Sequence, residues 1–313
     1  MNKNLYKEYC DLNKVPLFYT PMWLDMVAKN QWDYTCIKEN NKIQAILPYV
    51  KRKNSLVMPF LTPFLGPYYT INRNKYYNQL SDEHKYYEEL IKKLPDFDYF
   101  EQRFNHNISN WLSFYWNGFS QTTKYTYIIQ DISDSDLIWN NLRENIRREI
   151  RKSIKKGIKI HFENTTNNLF EFSRKNIERQ GIKIPYTKDF FNNLVSKCVI
   201  NNCGKVLVAK HDNSIIGAVF IVYDNHTAYY LAGGVDQNYR TSGTMSLLLW
   251  EAINDMSRKV KSFDFEGSML NGVERFFRSF GAKQIPYFEI TKINSRKLKA
   301  KKILNEVKTI LWK

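Results

Sequence analysis

Residues 262–287 read SFDFEGSMLNGVERFFRSFGAKQIPY, and this stretch decides the fold. It opens with two phenylalanines that alternate with two acidic residues, the pattern of a strand with one apolar face and one acidic face. These four residues are Phe263, Asp264, Phe265 and Glu266. A Gly-Ser pair then breaks the strand. The pattern predicts that two carboxylates lie at the end of a strand whose other face belongs to a core.

A short basic and aromatic helix follows the strand. It spans residues 271–281, which we call the knuckle, and it carries Arg275, Phe276 and Arg278 before a Phe-Gly stop. We expect the two carboxylates of the strand to face this knuckle.

Length and composition favour two domains. The chain has 313 residues, 43% hydrophobic and 15% aromatic, which is enough for two medium-sized cores. We predict an N-terminal domain of residues 1–130, completed by residues 291–313, and a C-terminal domain of residues 131–290. The net charge of +16 favours an acidic partner, such as tRNA, a phosphate-bearing small molecule or an anionic membrane. A general bias in amino-acid usage would raise the lysine content without any partner.

Cysteine spacing and hydropathy exclude two further classes. The one close cysteine pair, Cys198 and Cys203, has no second pair or nearby His-x3-His beside it, so we predict no metal site. The polar first residues do not resemble a signal peptide, and there is no long uncharged apolar run. We therefore expect a cytoplasmic protein, with peripheral membrane association as an open alternative.

Strands and helices interleave along the whole chain. Thr20 followed by Pro21 predicts the start of a helix, and Asn40-Asn41 predicts the turn of a β-hairpin. In the second half, antiparallel strands lead to a loop, an apolar helix over 245–256 and the strand described above. This order predicts an α/β fold of mixed sheet layers, in which the loop and the helix N-terminus offer a seat for an anion.

Residues 141–160 form the most strongly basic segment, with eight basic and two acidic residues and a net charge of +6. Apolar residues recur at about one helical turn, which predicts a helix with an apolar seam that ends at Gly157. The seam consists of Leu142, Ile146, Ile150 and Ile154. Its arginines are suited to phosphate contacts, although a solvated basic face is the alternative.

The C-terminal segment is also basic. Residues 295–313 carry seven basic residues and one acidic residue, with an apolar stripe that predicts an amphipathic helix. We expect this helix to pack back on the first domain, and docking on a membrane surface is the alternative.

Three segments resemble one known family. LRENIRREIRKSIKKGIKI is similar to a basic helix that ends in Lys-Gly, IERQG at 177–181 to an Arg-x-Gly helix end, and FDFEGS with GVERFFRSFGA to a strand, glycine turn and knuckle. These features resemble the GNAT acyl-coenzyme A N-acyltransferases and, because the first half looks like a weaker copy, the twin-domain FemABX aminoacyl-tRNA-dependent peptidyltransferases. The resemblance implies two tandem GNAT-like domains and an acyltransferase of cell-envelope biogenesis, including that of peptidoglycan.

Two positions depart from the family pattern. Phe277 stands where the peptidyltransferases commonly carry a Lys, so that residue's role is not transferred. The coenzyme A loop of GNAT enzymes reads Arg/Gln-x-x-Gly-x-Gly/Ala, and here Arg240 and Gly243 match its first two landmarks whereas Met245 does not match the last. The donor therefore stays open between aminoacyl-tRNA and acyl-coenzyme A, either of which would be a co-substrate, and we expect no tightly bound cofactor.

The chemistry implied is amide formation by direct attack of an amine on an activated acyl group, since no Ser-His-Asp or Cys-His arrangement is suggested. We expect Glu266 to be the base, with Asp264 orienting it or the amine and Arg278 as part of its electrostatic frame. The expected acceptor is a phosphate-bearing precursor of the cell envelope, a sugar nucleotide or a lipid-linked precursor. The candidate binding residues are Arg147, Arg148, Arg151, Arg179, Tyr230 with Tyr229 as its alternative, Arg240, Gly243, Arg275 and Tyr287. The alternative function is a non-catalytic RNA- or membrane-binding protein on the same scaffold.

Overall fold

The computed structural model describes residues 2–70, 75–163, 167–267 and 269–302. The chain divides into two compact units. The first unit comprises residues 1–124 and 286–313, and the second comprises residues 125–285.

The first half of the chain begins with two helices and continues with strands and two further helices. Its elements are α1 (Lys3–Asn13), α2 (Pro21–Ala28), β1 (Trp32–Glu39), β2 (Lys42–Arg52), β3 (Ser55–Val57), β4 (Tyr68–Tyr69), α3 (Tyr76–Lys92), β5 (Tyr99–Arg103), α4 (Leu112–Trp116) and β6 (Ser120–Ile129).

The second half alternates helices with antiparallel strands and returns to the first unit through its last strand. Its elements are α5 (Ser135–Asn141), α6 (Glu144–Lys155), β7 (Lys159–Phe162), α7 (Asn167–Glu178), α8 (Lys188–Ile200), β8 (Gly204–His211), β9 (Ser214–Tyr223), β10 (Thr227–Val235), α9 (Thr244–Met256), β11 (Ser262–Asp264), α10 (Asn271–Arg278) and β12 (Lys283–Ile293).

In the first unit, the strand order is β1-β2-β3-β5-β12, and β4 pairs with β2. Thr20 caps α2 through its hydroxyl, which accepts a hydrogen bond from the Trp23 amide at 3.2 Å. Asn40 and Asn41 have φ values of 50° and 64°, as the tight turn of the β1–β2 hairpin requires. The predicted helix start and hairpin turn are therefore confirmed.

Aromatic residues form the cores on the two faces of this sheet. On one face α3 and α4 cover β5, where the Phe114 ring lies 4.9 Å from that of Phe104. On the other face α1 covers β1, where the Tyr6 ring lies 4.5 Å from that of Tyr34. Burial on both faces explains the aromatic content of the first half.

In the second unit, the strand order is β6-β11-β10-β9-β8-β7. Neighbouring strands are antiparallel except for β10 and β11, which run parallel. Helices α6, α9 and α10 pack on one face, around Ile150, Leu248 and Phe277. Helix α7 packs on the opposite face, against β9 and β10. The predicted mixed α/β fold is confirmed.

The basic segment differs from the prediction in two ways. It is not one helix, because α5 ends before α6 begins and Leu142, between them, has an extended backbone with ψ of 136°. Ile146 and Ile150 are buried, whereas Ile154 is 57% exposed and does not continue the seam. In the last turn of α6 the buried position is taken by Ser153, which is fully buried, and Ile154 points to solvent.

The C-terminal segment is described only in part. Residues 296–302 are helical, and the remainder of the predicted amphipathic helix, residues 303–313, lies outside the described residues. Among the residues that the structure describes, no helix is both long enough and apolar enough to cross a membrane.

Candidate functional site

The alternation of β11 directs its side chains to opposite faces of the sheet of the second unit. Phe263 and Phe265 point into the core formed with α6, α9 and α10, and the Phe265 ring stacks on that of Phe277 at 5.1 Å. Asp264 points to the other face, which we call the acidic face, together with Tyr229 and Thr126 of the neighbouring strands. The strand therefore separates the core from a polar site.

Asp264 is a buried carboxyl group with two hydrogen-bond donors. It is 2% exposed, and its Oδ1 accepts hydrogen bonds from the Thr126 hydroxyl and, at 2.8 Å, from the Glu266 amide. Burial raises the pKa of Asp264 to about 6, although both hydrogen bonds lower it. A carboxyl group with this pKa is a base at neutral pH and changes its charge within the range in which enzymes work.

Tyr229 lies beside the two carboxylates. It is 3% exposed, and its hydroxyl donates to Asp224 Oδ2 at 3.1 Å. Burial and, after it, the negative charges of Asp224, Asp264 and Glu266 raise its pKa well above the ordinary value. Tyr229 therefore remains protonated and marks the point at which these acidic groups come together.

The backbone after Asp264 adopts an unusual conformation. Glu266 has φ of 59°, a left-handed value that costs a non-glycine residue about 1 kcal/mol. Gly267 follows at φ of 46°, and a Cβ at that position would lie 2.1 Å from the Tyr125 carbonyl oxygen. The segment therefore requires glycine at 267, and it holds a half-buried Glu266 in a conformation that glycine would adopt more easily.

The parallel pairing of β10 with β11 is short. It joins Thr227–Tyr229 to Ser262–Asp264, whereas β10 continues to Val235 beyond the end of β11. A register shift between Tyr230 and Ala232 interrupts the pairing of β10 with β9 at the same level. Beyond Asp264, the second half of β10 therefore has no partner strand on the β11 side among the described residues.

Helix α7 approaches this part of β10 closely. A Cβ at Gly234 would lie 2.2 Å from the Phe172 carbonyl oxygen, so a larger residue would displace the helix. The Asn176 side chain donates to the Gly233 carbonyl at 3.2 Å. These contacts place the C-terminal end of α7 on the acidic face.

Two arginines contribute positive charge near the end of α7. Partial burial and, after it, the positive charge of Arg240 lower the pKa of Arg179. Arg179 also donates to Asn176 Oδ1 at 2.7 Å. Two cations near the end of α7 form a candidate anion site.

The N-terminus of α9, where we expected an anion to bind, is in contact with helix α6. Gly243 has φ of 86°, and a Cβ there would lie 2.1 Å from the Glu149 carbonyl oxygen. The Ser246 hydroxyl donates to the Glu149 carboxylate, and the Lys152 ammonium donates to the Thr241 carbonyl at 2.8 Å. Helix α6 thus covers this N-terminus and brings a carboxylate to its first turn, where a negative charge is stabilised.

The arginines of α6 have separate environments. Arg147 pairs with Glu144 at 2.8 Å and donates to the Asn140 carbonyl at 3.2 Å, so it ties α6 to the end of α5. Arg151 lies 3.5 Å from Glu144, and Arg148 is exposed. These residues belong to the helix layer on the core side of the sheet, whereas Arg179 lies on the acidic face.

The knuckle does not face Asp264, because the sheet lies between them. Arg278 donates to Glu274 Oε1 at 2.8 Å, and Tyr127 donates to the same oxygen at 2.9 Å from the core side. These hydrogen bonds lower the pKa of Glu274, that from Tyr127 more than that from Arg278. Arg275 is exposed on the same helix. The expectation that the carboxylates face the knuckle is wrong for Asp264, since successive residues of a strand point to opposite faces.

The two aromatic candidates, Tyr230 and Tyr287, and Phe277, which departs from the family pattern, have different environments. Phe277 is 6% exposed and belongs to the core, so an apolar residue is required at its position. Tyr230 is half-buried on the core side, with its ring 6.1 Å from that of Phe277. Tyr287 is half-buried on β12 and belongs to the first unit.

One residue of the acidic face, Thr126, is absent from the predicted set, and it lies in the strand before the basic segment. Of the two tyrosines that the sequence left as alternatives, Tyr229 lies on the acidic face and Tyr230 on the core side. The sequence gives no signal for Thr126, because its contact with Asp264 crosses 138 positions of the chain. Because successive residues of a strand point to opposite faces of the sheet, the position of Tyr229 along its strand would have distinguished it from Tyr230. Among the described residues, no group of three or more His, Cys, Asp and Glu could hold a metal.

Comparison with known proteins supports the fold class predicted from the sequence. Residues 140–278 match the family model described as acetyltransferase (GNAT) domain. No curated protein matches the sequence. In structure, the chain is similar to FemX, with a TM-score of 0.64 and 11% identity over 92% of this chain and 96% of that one.

Two further solved structures share the fold. One is L-PGS from Bacillus licheniformis, with a TM-score of 0.58 and 12% identity over 97% of this chain and 95% of that one. The other is a tandem GNAT protein from the clavulanic acid biosynthesis pathway, with a TM-score of 0.51 and 10% identity over 94% of each chain. Residues 140–278 therefore match a GNAT domain and the chain shares its fold with FemX, which supports the resemblance seen in the sequence.

Proposed function

We propose that this chain, which carries a GNAT acyltransferase domain, forms an amide between an activated aminoacyl group and an amine of a phosphate-bearing cell-envelope precursor. The observation that carries the proposal is the buried Asp264 carboxyl on the acidic face, beside the second half of β10, which accepts a hydrogen bond from the amide of the half-buried Glu266. Because burial raises the pKa of Asp264 to about 6, the site holds a carboxyl group that titrates close to neutral pH next to Glu266, the residue that we assign as the base.

The reaction uses direct attack. The amine nitrogen of the acceptor forms a bond to the acyl carbonyl carbon, and the ester bond to the donor hydroxyl breaks. Glu266 takes the proton from the attacking nitrogen, directly or through water, and then returns this proton to the leaving oxygen, which becomes a hydroxyl. Asp264 holds the Glu266 amide at 2.8 Å and thereby positions the backbone that presents this base.

The phosphates of the donor are assigned to the pair Arg179 and Arg240. Two guanidinium groups that repel one another bind an anion favourably, because the anion removes their repulsion. Arg148, which is exposed on α6, supplies a further cation for a large polyanionic ligand.

Aminoacyl-tRNA is favoured over acyl-coenzyme A by the N-terminus of α9. If coenzyme A were the carrier, its pyrophosphate would sit on the amides of this helix end. The Glu149 carboxylate accepts a hydrogen bond from Ser246 in the first turn, and its backbone touches Gly243. A pyrophosphate there would be repelled by a carboxylate at short range. The acyl-coenzyme A donor remains the second candidate because Arg240 and Gly243 keep two landmarks of its loop.

Thermal stability in the presence of each donor tests this proposal. A ligand that binds the native state alone raises the melting temperature, so charged tRNA should stabilise the protein whereas acetyl-coenzyme A should not. Uncharged tRNA is the control for binding through the RNA alone. Stabilisation by acetyl-coenzyme A alone would identify acyl-coenzyme A, and not aminoacyl-tRNA, as the donor. Binding of tRNA without transfer to any amine acceptor would favour a non-catalytic RNA-binding protein.

A further inference from the structure

Helix α4 of the first unit exposes an apolar surface. The segment Trp111–Trp116, WLSFYW, has no charged residue. Ser113 and Phe114 are buried, whereas three large side chains point outwards. These three residues, which we call the α4 patch, are Leu112 (44% exposed), Tyr115 (59%) and Trp116 (57%).

The α4 patch is held rigidly by α3. The His84 ring lies 4.9 Å from the Trp116 ring, and His84 Nδ1 lies 2.9 Å from the Ser113 hydroxyl. Tyr77 precedes His84 by two helical turns, so it lies on the same side of α3, and it is 62% exposed. The aromatic surface is therefore preorganised and costs little conformational entropy when it binds.

Basic residues adjoin the α4 patch. Lys292 donates to the Asn117 carbonyl at 2.7 Å, directly after α4. Lys292 is followed on the chain by the helical residues 296–302, where the Lys299 amide donates to the Ser295 carbonyl at 3.0 Å. Partial burial and, after it, the positive charge of Lys299 lower the pKa of Lys292. Residues 296–302 are exposed and include five basic residues and no acidic residue. The aromatic surface thus has a cationic border.

Few acidic groups adjoin this surface. The Glu83 carboxylate, directly before His84, accepts a hydrogen bond from the Tyr69 hydroxyl. Glu88 lies one turn after His84 on the same side of α3, and the Asp98 carbonyl accepts hydrogen bonds from the amides of Asn294 and Ser295. The five basic residues of 296–302 outnumber these three acidic groups.

We propose that the α4 patch and the basic segment 292–302 form a docking surface for an anionic lipid membrane. Exposed Trp and Tyr side chains favour the interface between lipid headgroups and acyl chains, and adjacent lysines and arginines bind anionic headgroups. Two aliphatic side chains, Leu112 and the 36%-exposed Leu298, favour lipid over RNA, because they have no π-face on which a base can stack. This docking is independent of the transfer chemistry and requires no substrate.

Vesicle co-sedimentation of the full chain tests the proposal. Vesicles of phosphatidylcholine with about one third phosphatidylglycerol should bind the protein, whereas pure phosphatidylcholine should bind it much more weakly. The variant with Arg296→Gln, Lys297→Gln and Lys299→Gln should lose roughly 100-fold in affinity for the anionic vesicles. Its matched control, Lys42→Gln with Lys51→Gln and Lys53→Gln, removes the same charge from exposed sites elsewhere in the first unit and should bind nearly as the wild type.

The aromatic contribution is tested separately. Tyr115→Ser with Trp116→Ser should weaken vesicle binding by about tenfold, because both side chains are exposed and contribute apolar contact. Ile182→Ser with Ile200→Ser, which also removes exposed apolar side chains, should have no such effect. An unchanged circular dichroism spectrum shows that each variant is folded.

Two outcomes would overturn the proposal. One is equal binding of the wild type to neutral and anionic vesicles, or to neither. The other is an equal loss of affinity in the Arg296, Lys297 and Lys299 variant and in its Lys42, Lys51 and Lys53 control, which would show that binding depends on the net charge of the protein and not on this surface. Binding of a 20-nucleotide RNA that is lost in the Tyr115 and Trp116 variant, without vesicle binding, would assign the surface to nucleic acid instead.

Discussion

On one face of β11, Phe263 and Phe265 pack with Phe277 in a core, and the charges of the surrounding helices are paired with one another or exposed to solvent. On the opposite face, Asp264 is buried among polar groups and its pKa is raised. Basic helices dominate the sequence, yet the buried titratable group lies on the other side of the sheet. The difference indicates that local environment, and not charge density, locates the candidate site.

The turn after β11 follows the strand that carries both faces, and its disruption should have the largest effect on the stability of the protein. Gly267→Ala would place a Cβ 2.1 Å from the Tyr125 carbonyl oxygen at a left-handed φ, so we expect a loss of about 4 kcal/mol in the free energy of unfolding. Gly157→Ala is the matched control, because Gly157 also has a positive φ but a Cβ added there would meet no atom within 4 Å. It should cost about 1 kcal/mol. Equal losses in urea titrations would contradict the close approach at Gly267.

The raised pKa of Asp264 predicts a pH-dependent stability. The folded protein holds this proton more tightly than the unfolded chain, so its contribution is full below about pH 4 and is lost as the pH rises through 6. The difference in unfolding free energy between wild type and Asp264→Asn should therefore fall by about 3 kcal/mol between about pH 4 and 7. An increase of that difference with pH would show that the folded state favours the charged carboxylate.

The arginines of the acidic face should affect donor binding. Arg179→Ala with Arg240→Ala should raise the KM for the donor by about tenfold at low salt, and the effect should shrink at high salt. Arg258→Ala, an exposed substitution after the opposite end of α9, is the control for a loss of positive charge. The same increase in KM for Arg258→Ala would remove the specific role of the pair.

The smallest effect is expected on the core side of the sheet. Arg278 is exposed and pairs with Glu274 within one helix, an interaction that solvent screens and that contributes little to stability. Arg278→Ala should therefore change kcat/KM by less than about threefold. A large loss of kcat with unchanged stability would restore the catalytic role expected for Arg278 from the sequence.

The sequence predicted the fold well because its signals are local. The alternation in FDFE, the Thr20-Pro21 helix start and the Asn40-Asn41 turn each depend on residues that are close in the chain. The site was harder to predict because it depends on distant pairs, such as Thr126 with Asp264 and Glu149 with Ser246. Periodicity also does not show which helix covers which face of a sheet.

The most direct test of the proposed proton transfer compares two variants in one transfer assay. Glu266→Gln keeps the size of the side chain and removes the proposed base, so kcat/KM should fall by about 100-fold with an unchanged melting temperature. Arg278→Ala, on the other side of the sheet, should retain nearly full activity in the same assay. Equal activities of the two variants would contradict the assignment of proton transfer to the acidic face.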